Sequence, residues 1–417
     1  MFGLHVILWL EATGGVADLA RLLPLLPARS SELGPDAARA ADAILQRAAP
    51  EDIAWLERHH PTGPDYVSRQ PSWDAMGPDD LGSATCDAVG PRAAVIALAS
   101  MHRSGFVRER AVRLLATRSD GGELPLLLVR VNDWVGPVRE AAAAALRARL
   151  QPGYAAHFVR CLTLVDDLRG ERRASHGPLL AAVEALLGTP AASPALDEAL
   201  RCGARGLRRA CVRIAALHGD AALLLRAAVD CDSIVATIAA RAITATWSDQ
   251  ALREVLPRLR SGPPRVRYLA LEATCARYPG EAEPQLRRAL LDESGSVREL
   301  ARFLWSRAGC PSLDFAAFYR DALAYARGRA FPVALFALAE CGEEADAPLF
   351  EPHVRDPRSA VRAAAVMGLG RCGMGRYSEA LLFAMKDPSS RVAAVALHWV
   401  RVRLGRAYAR GVQRSAS

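Results

Sequence analysis

The sequence predicts an all-α protein: an α-solenoid, a superhelical stack of about ten helix pairs, with an irregular N-terminal cap. Three observations predict it. A valine-centred pattern returns at intervals of about 31 residues, the residue four places after the valine is small in every copy, and most copies carry an aspartate five places before it. The chain has 417 residues, beyond the roughly 250–300 at which a single core stops growing.

The first element, "MFGLHVILWLEA", opens apolar but meets Glu11 early and has no basic residue ahead of it. It is too short for a membrane span and lacks the basic start of a signal peptide, so it is expected to be a helix capping a core. Residues 1–90 form the expected cap, with an irregular loop at 59–91; residues 91–405 form the array, and 406–417 a frayed basic tail. Residues 1–100 hold 7 Arg against 13 Asp and Glu, a net charge of −6, whereas residues 101–417 carry +14. Such an acidic lead and basic body would either attract each other or present separate surfaces. Only Lys386 is a lysine; every other basic residue counted in that balance is arginine. The nine cysteines include no C-x-x-C spacing, which fits reduced thiols and a cytoplasmic setting.

The repeat is clearest in "DWVGPVREAA", "DESGSVRELA" and "DPRSAVRAAA", where Asp133, Asp292 and Asp356 precede Val138, Val297 and Val361. "DPSSRVAAVA" keeps Asp387 and Val392, "DCDSIVATIA" keeps Asp230 and Val235, and "SGPPRVRYLA" and "HRSGFVRERA" keep Val266 and Val107. Leu207 stands in for one valine, Ala330 begins a further unit in phase, and "GPLLAAVEALL" follows an insertion, "DDLRGERRASHG". Positions 0, +4 and +8 share one face of a 3.6-residue helix, so a small +4 residue marks close approach by another helix. The aspartate falls in the turn before that helix, where its carboxylate meets free backbone N–H groups. The arginine at +1 then reaches the aspartate of a neighbouring unit. This predicts a structural ladder built from Asp133, Arg139, Asp230, Arg267, Asp292, Arg298, Asp356, Arg362 and Asp387, with Arg108 in the same role. Pro125, Pro284 and Pro348 lie eight residues before their aspartates, within the preceding helix.

Proline in the first helix, aspartate eight residues on, then Val-Arg opening the second helix resembles the HEAT repeat, in its short HEAT-like form of about thirty residues. The resemblance covers roughly residues 91–405. It implies a right-handed stack whose second helices line a concave side. The ankyrin and tetratricopeptide signatures are absent.

With the apolar and ladder positions assigned, +2, +6 and +9 remain as the expected exposed strip. Its early half is charged, with Arg113, Arg209, Arg213 and Arg241; its late half carries Tyr268, Phe303, Phe336, Met367 and His398. The second set is the expected protein-binding groove, and sideways packing on the next unit is the alternative. For the arginines the alternative is a solvated helix surface. The loop at 59–91 offers Tyr66, Trp73, Asp74, Asp79 and Asp80, either as a functional segment or as a cover over the open end of the stack. Residues 165–177 read as a solvated loop.

The sequence offers no phosphate-cradling glycine motif, no G-x-S-x-G and no H-x-x-x-H. No catalytic residue, metal site or cofactor is assigned; His59-His60 is a metal pair only in principle. The repeat plan and basic charge also resemble the HEAT-like alkylpurine DNA glycosylases, but Asp133 is taken up by the repeat and the strip's six Arg face four Glu. The bilin-lyase group resembles the repeats alone. The expectation is therefore a cytoplasmic, non-enzymatic scaffold with a protein partner on its concave surface, no membrane span, and an open oligomeric state. A nucleic-acid partner, through the basic surface or tail, is the alternative.

Overall fold

Helices of 11–14 residues are marginal alone, and those of this protein are held by their turns and neighbours. The second helix Gly136–Ala148 shows how. Pro137 opens it, where a missing N–H costs nothing, and its alanine run has the highest intrinsic helix propensity. In the turn before it the Asp133 carboxylate accepts from the Val135 N–H at 2.9 Å. Asp230, Asp292, Asp356 and Asp387 accept in the same way from the N–H two residues on, at 2.7–2.8 Å. The prolines eight residues upstream open their helices rather than interrupting them: Pro125 sits in the first turn of Leu124–Arg130 and Pro348 in that of Ala347–Phe350.

The computed structural model describes residues 4–26, 33–59, 71–81, 91–170, 174–373 and 376–415. Among them every regular element is helical. The chain divides into two compact units, Met1–Ala227 and Ala228–Ser417. In the first, Leu4–Thr13 packs on Gly34–Arg47, which packs on Pro91–Ala99, so residues 34–47 and 91–99 share a core across the boundary expected at residue 90. Gly105–Leu115 then packs on Gly136–Ala148, and Ser193–Cys202 on Arg205–His218. In the second unit Ser233–Thr246, Pro264–Arg277 and Gly295–Arg307 pack in succession, as do Ala330–Cys341, Ser359–Cys372 and Ser390–Ser415. The last helix runs on through residue 415.

The anchors form the core of both units. Val107, Val138, Val235, Val266, Val297, Val361 and Val392 are buried, and so are Ala111, Ala142, Cys211, Ala239, Ala270, Ala301, Ala334, Ala365 and Ala396 at +4. Each buried valine contributes about 1.5–3 kcal/mol, while the +4 residues contribute closeness more than area. Close approach is severe in Ser359–Cys372, where a Cβ on Gly368 would run into the Phe350 ring and one on Gly370 into Trp399. Gly368→Val is therefore expected to destabilise the C-terminal unit by about 1–3 kcal/mol, read as a lower urea midpoint with helicity retained.

Candidate functional site

The arginine at +1 does two jobs with one guanidinium. Arg108 directs Nε and Nη2 to the two oxygens of Asp133, 25 residues on, at 2.8 and 2.9 Å. Arg267 does the same with Asp292, and Arg362 with Asp387. The remaining Nη1 turns back to the carbonyl of its own turn: His102 for Arg108, Gly262 for Arg267 and Asp356 for Arg362. This bidentate fork is one that lysine could not reproduce. Three positions depart from the expected pairing, one of them Asp356, which pairs with Arg358 two residues on and not with a neighbouring unit. Arg139 bonds back to the Asp133 carbonyl, with the insertion following its unit, and Arg298 pairs with Glu340, because the next unit has no aspartate at the equivalent place. Burial pushes the Asp133 carboxyl up, but the bonds from Arg108 and Val135 and the charge of Arg130 outweigh it and hold its pKa below the usual value. The Arg362 bonds hold Asp387 low as well.

A second set of basic residues went unread in the sequence. Arg149, His218 and Arg277 stand eleven places after their anchors. They donate to carbonyls at the C-terminal ends of the preceding second helices: Arg149 to Leu115, Ala116 and Arg118, His218 to Glu184, and Arg277 to Trp247. Arg47 does this to Glu11 and Gly14, which gives the N-terminal helices the same device as the later ones. Four carbonyls at each helix end lack intrahelical partners and carry the negative end of the dipole, so a cation from the next layer suits them. The signal was available as basic residues recurring at +11.

The expected binding strip is not uniformly exposed. Phe303 is 54% exposed, with Arg307 over its ring at 5.2 Å, and His398 is exposed. Tyr268, Phe336 and Met367 are half-buried against the core, and Arg391 covers the Phe336 ring at 5.0 Å. At the neighbouring strip positions Ala339, Ala363 and Gly370 are buried outright. The cause is that Ala330–Cys341, Ser359–Cys372 and the start of the last helix pack directly on one another. Small residues at +2 and +9 admit the next helix onto a face that elsewhere meets solvent. Among the arginines, Arg113 bonds Glu109 at 2.7 Å, Arg213 bonds Asp166, Arg209 is half-buried, and Arg241 is exposed.

Of the loop residues, Tyr66 lies outside the described residues. Trp73 is fully buried, its carbonyl bonded by His102 Nε2 at 3.0 Å, so it is a core residue and not a contact group. Asp74 lies beside Arg103, while Asp79 and Asp80 are exposed, Asp80 accepting from the Gly77 N–H. In the insertion, Arg169 pairs with Asp166 and Glu184; Arg172 and Arg173 are outside the described residues. His59 stacks on Trp55. Exposed aromatics that the repeat phase did not single out include Tyr325, Phe383 and Trp9, as well as Phe106, at 77%, and Trp134, at 68%, the last with the Arg108 guanidinium over its ring.

Among the described residues no group of three or more His, Cys, Asp or Glu side chains is placed to hold a metal ion. Burial pushes the Cys161 and Cys211 thiols up to about 12 and those of Cys275, Cys341 and Cys372 to about 11, leaving them protonated and unreactive at neutral pH. No helix among the described residues is long and apolar enough to cross a membrane.

No family model and no curated protein matches the chain. Among solved structures, an engineered protein determined by the Northeast Structural Genomics Consortium aligns over 92% of this chain and 98% of its own, at 17% identity and a TM-score of 0.26. That superposition is too loose to assign a fold family or a function.

Proposed function

We propose that this chain is a HEAT-like helical-repeat scaffold, without catalytic activity of its own, that binds a protein partner. The observation that carries the reading is Phe303, a large apolar side chain left more than half exposed on a second helix whose other faces are packed. The repeated arginine–aspartate forks support the solenoid arrangement, since each ties one helix pair to the next through the same 25-residue step. Aromatic groups on a rigid frame lose little conformational entropy on binding and dominate interface energies. The nucleic-acid alternative needs several unopposed cations along one path, and Arg113 and Arg213 are already engaged by carboxylates.

The test is a nuclease-treated affinity capture from the native host, comparing the wild type with Phe303→Ser. Because Phe303 is exposed, the substitution is expected to leave stability within about 0.5 kcal/mol and helicity unchanged. A protein retained by the wild type and lost from the variant is the expected result. Identical captures would remove Phe303 from the binding surface. Nucleic acid co-purifying when nuclease is omitted, with no protein captured, would replace the scaffold reading.

A further inference from the structure

A cavity of about 380 Å³ opens in the N-terminal unit, within the range typical of small-molecule sites. It lies where the helices Gly34–Arg47 and Pro91–Ala99 meet the turn at 118–122 and the helix Ala155–Arg160. Leu45, Ile53, Ala94, Ala97 and Leu126 supply apolar wall.

Its charges are unevenly matched. Arg118 closes on Asp120 with two bonds, Nε to Oδ1 at 3.1 Å and Nη2 to Oδ2 at 2.7 Å. Asp42, on the facing helix, accepts instead from the neutral Gln46 amide at 2.7 Å. The consequence shows in their protonation. Burial raises the Asp42 pKa against a weaker opposing pull from Arg118, whereas at Asp120 the effect of burial is overcome by Arg118 and the pKa is lowered. One carboxylate therefore has its cation and the other has an amide. The turn between them is sterically set: Gly121 has φ +85°, and a Cβ there would collide with the His157 ring.

We propose that this cavity binds a small organic ammonium, its apolar body against Leu45, Ile53 and Ala97 and its charged nitrogen on the Asp42 carboxylate. A half-buried carboxylate is stabilised more by a charge-assisted donor than by a neutral one, and an ammonium supplies the charge that Gln46 does not. An anionic ligand would face two carboxylates, with Arg118 already engaged by Asp120 and the second arginine, Arg160, exposed to solvent.

Isothermal titration of the full chain with benzylamine, benzyl alcohol and benzoate tests this. Benzylamine is expected to bind saturably at one equivalent, about tenfold or more tighter than benzyl alcohol. Asp42→Asn should erase that preference with helicity unchanged, and Leu45→Trp, which fills the cavity from its half-buried edge, should abolish binding of both. The titratable groups around the cavity are Asp42, Asp120, Arg118, His157, Arg160 and Cys161. Benzylamine affinity should fall as pH is lowered through the titration of Asp42, and Asp42→Asn should remove that dependence. A preference for benzoate, equal affinities, no saturable benzylamine binding by the folded chain, or an Asp42→Asn variant that binds like the wild type would each overturn the proposal.

Discussion

Asp133→Ala is expected to cost the N-terminal unit about 3–5 kcal/mol, the range for removing one member of a buried ionic group. The side chain is fully buried and accepts four bonds: two from Arg108, one from Arg130 Nη1 at 2.7 Å and one from the Val135 N–H. Its removal leaves Arg108, almost completely buried, without its carboxylate, while Arg130 keeps its pair with Glu57. Urea unfolding followed by circular dichroism measures the loss. A cycle with Arg108→Ala should show that the two effects are strongly non-additive. The same group makes stability pH-dependent. Its folded pKa lies below the ordinary carboxylate value of 3.8, so its contribution is complete above that pH and is lost as pH falls through the lower folded value. Acid titration of the wild type should show this loss, and Asp133→Ala should lack it. Asp356→Ala, where the ion-pair partner Arg358 is exposed, should change far less.

Arg149→Met is expected to match that loss, again about 3–5 kcal/mol, although the residue belongs to the other ladder. Arg149 is 4% exposed and binds Glu123 Oε1 at 2.6 Å, the Ala145 carbonyl, and three carbonyls ending the Gly105–Leu115 helix. Methionine keeps much of the volume but leaves the fully buried Glu123 carboxylate with the Tyr154 hydroxyl as its remaining donor, at 2.8 Å. Adding Glu123→Gln should recover part of the stability, because the stranded charge is then gone. Arg277→Met should cost less, since Asp249, its carboxylate partner, is largely exposed. Thermal and urea unfolding of the three variants, ranked together, checks the order.

Local periodicity made much of this protein legible. A helix repeats every 3.6 residues whatever surrounds it, so a valine with a small residue four places on identifies the buried face, and every such pair described above is buried. Asp–Arg spacing was readable for the same reason, since turn and helix start lie within a few residues. Exposure of the strip was not. Whether +2 and +9 meet water depends on how near the next helix comes, and at Ala363 and Gly370 it comes all the way. The second ladder was marked only on its donor side, by the basic residues at +11, because its acceptors are backbone carbonyls some 33 residues away. The cavity and its unmatched Asp42 arise where helices distant in sequence meet. The sequence alone therefore determined which side chains face the core, a property of single helices; tertiary packing decided which of the others remain open to a partner, a property of the distance between helices.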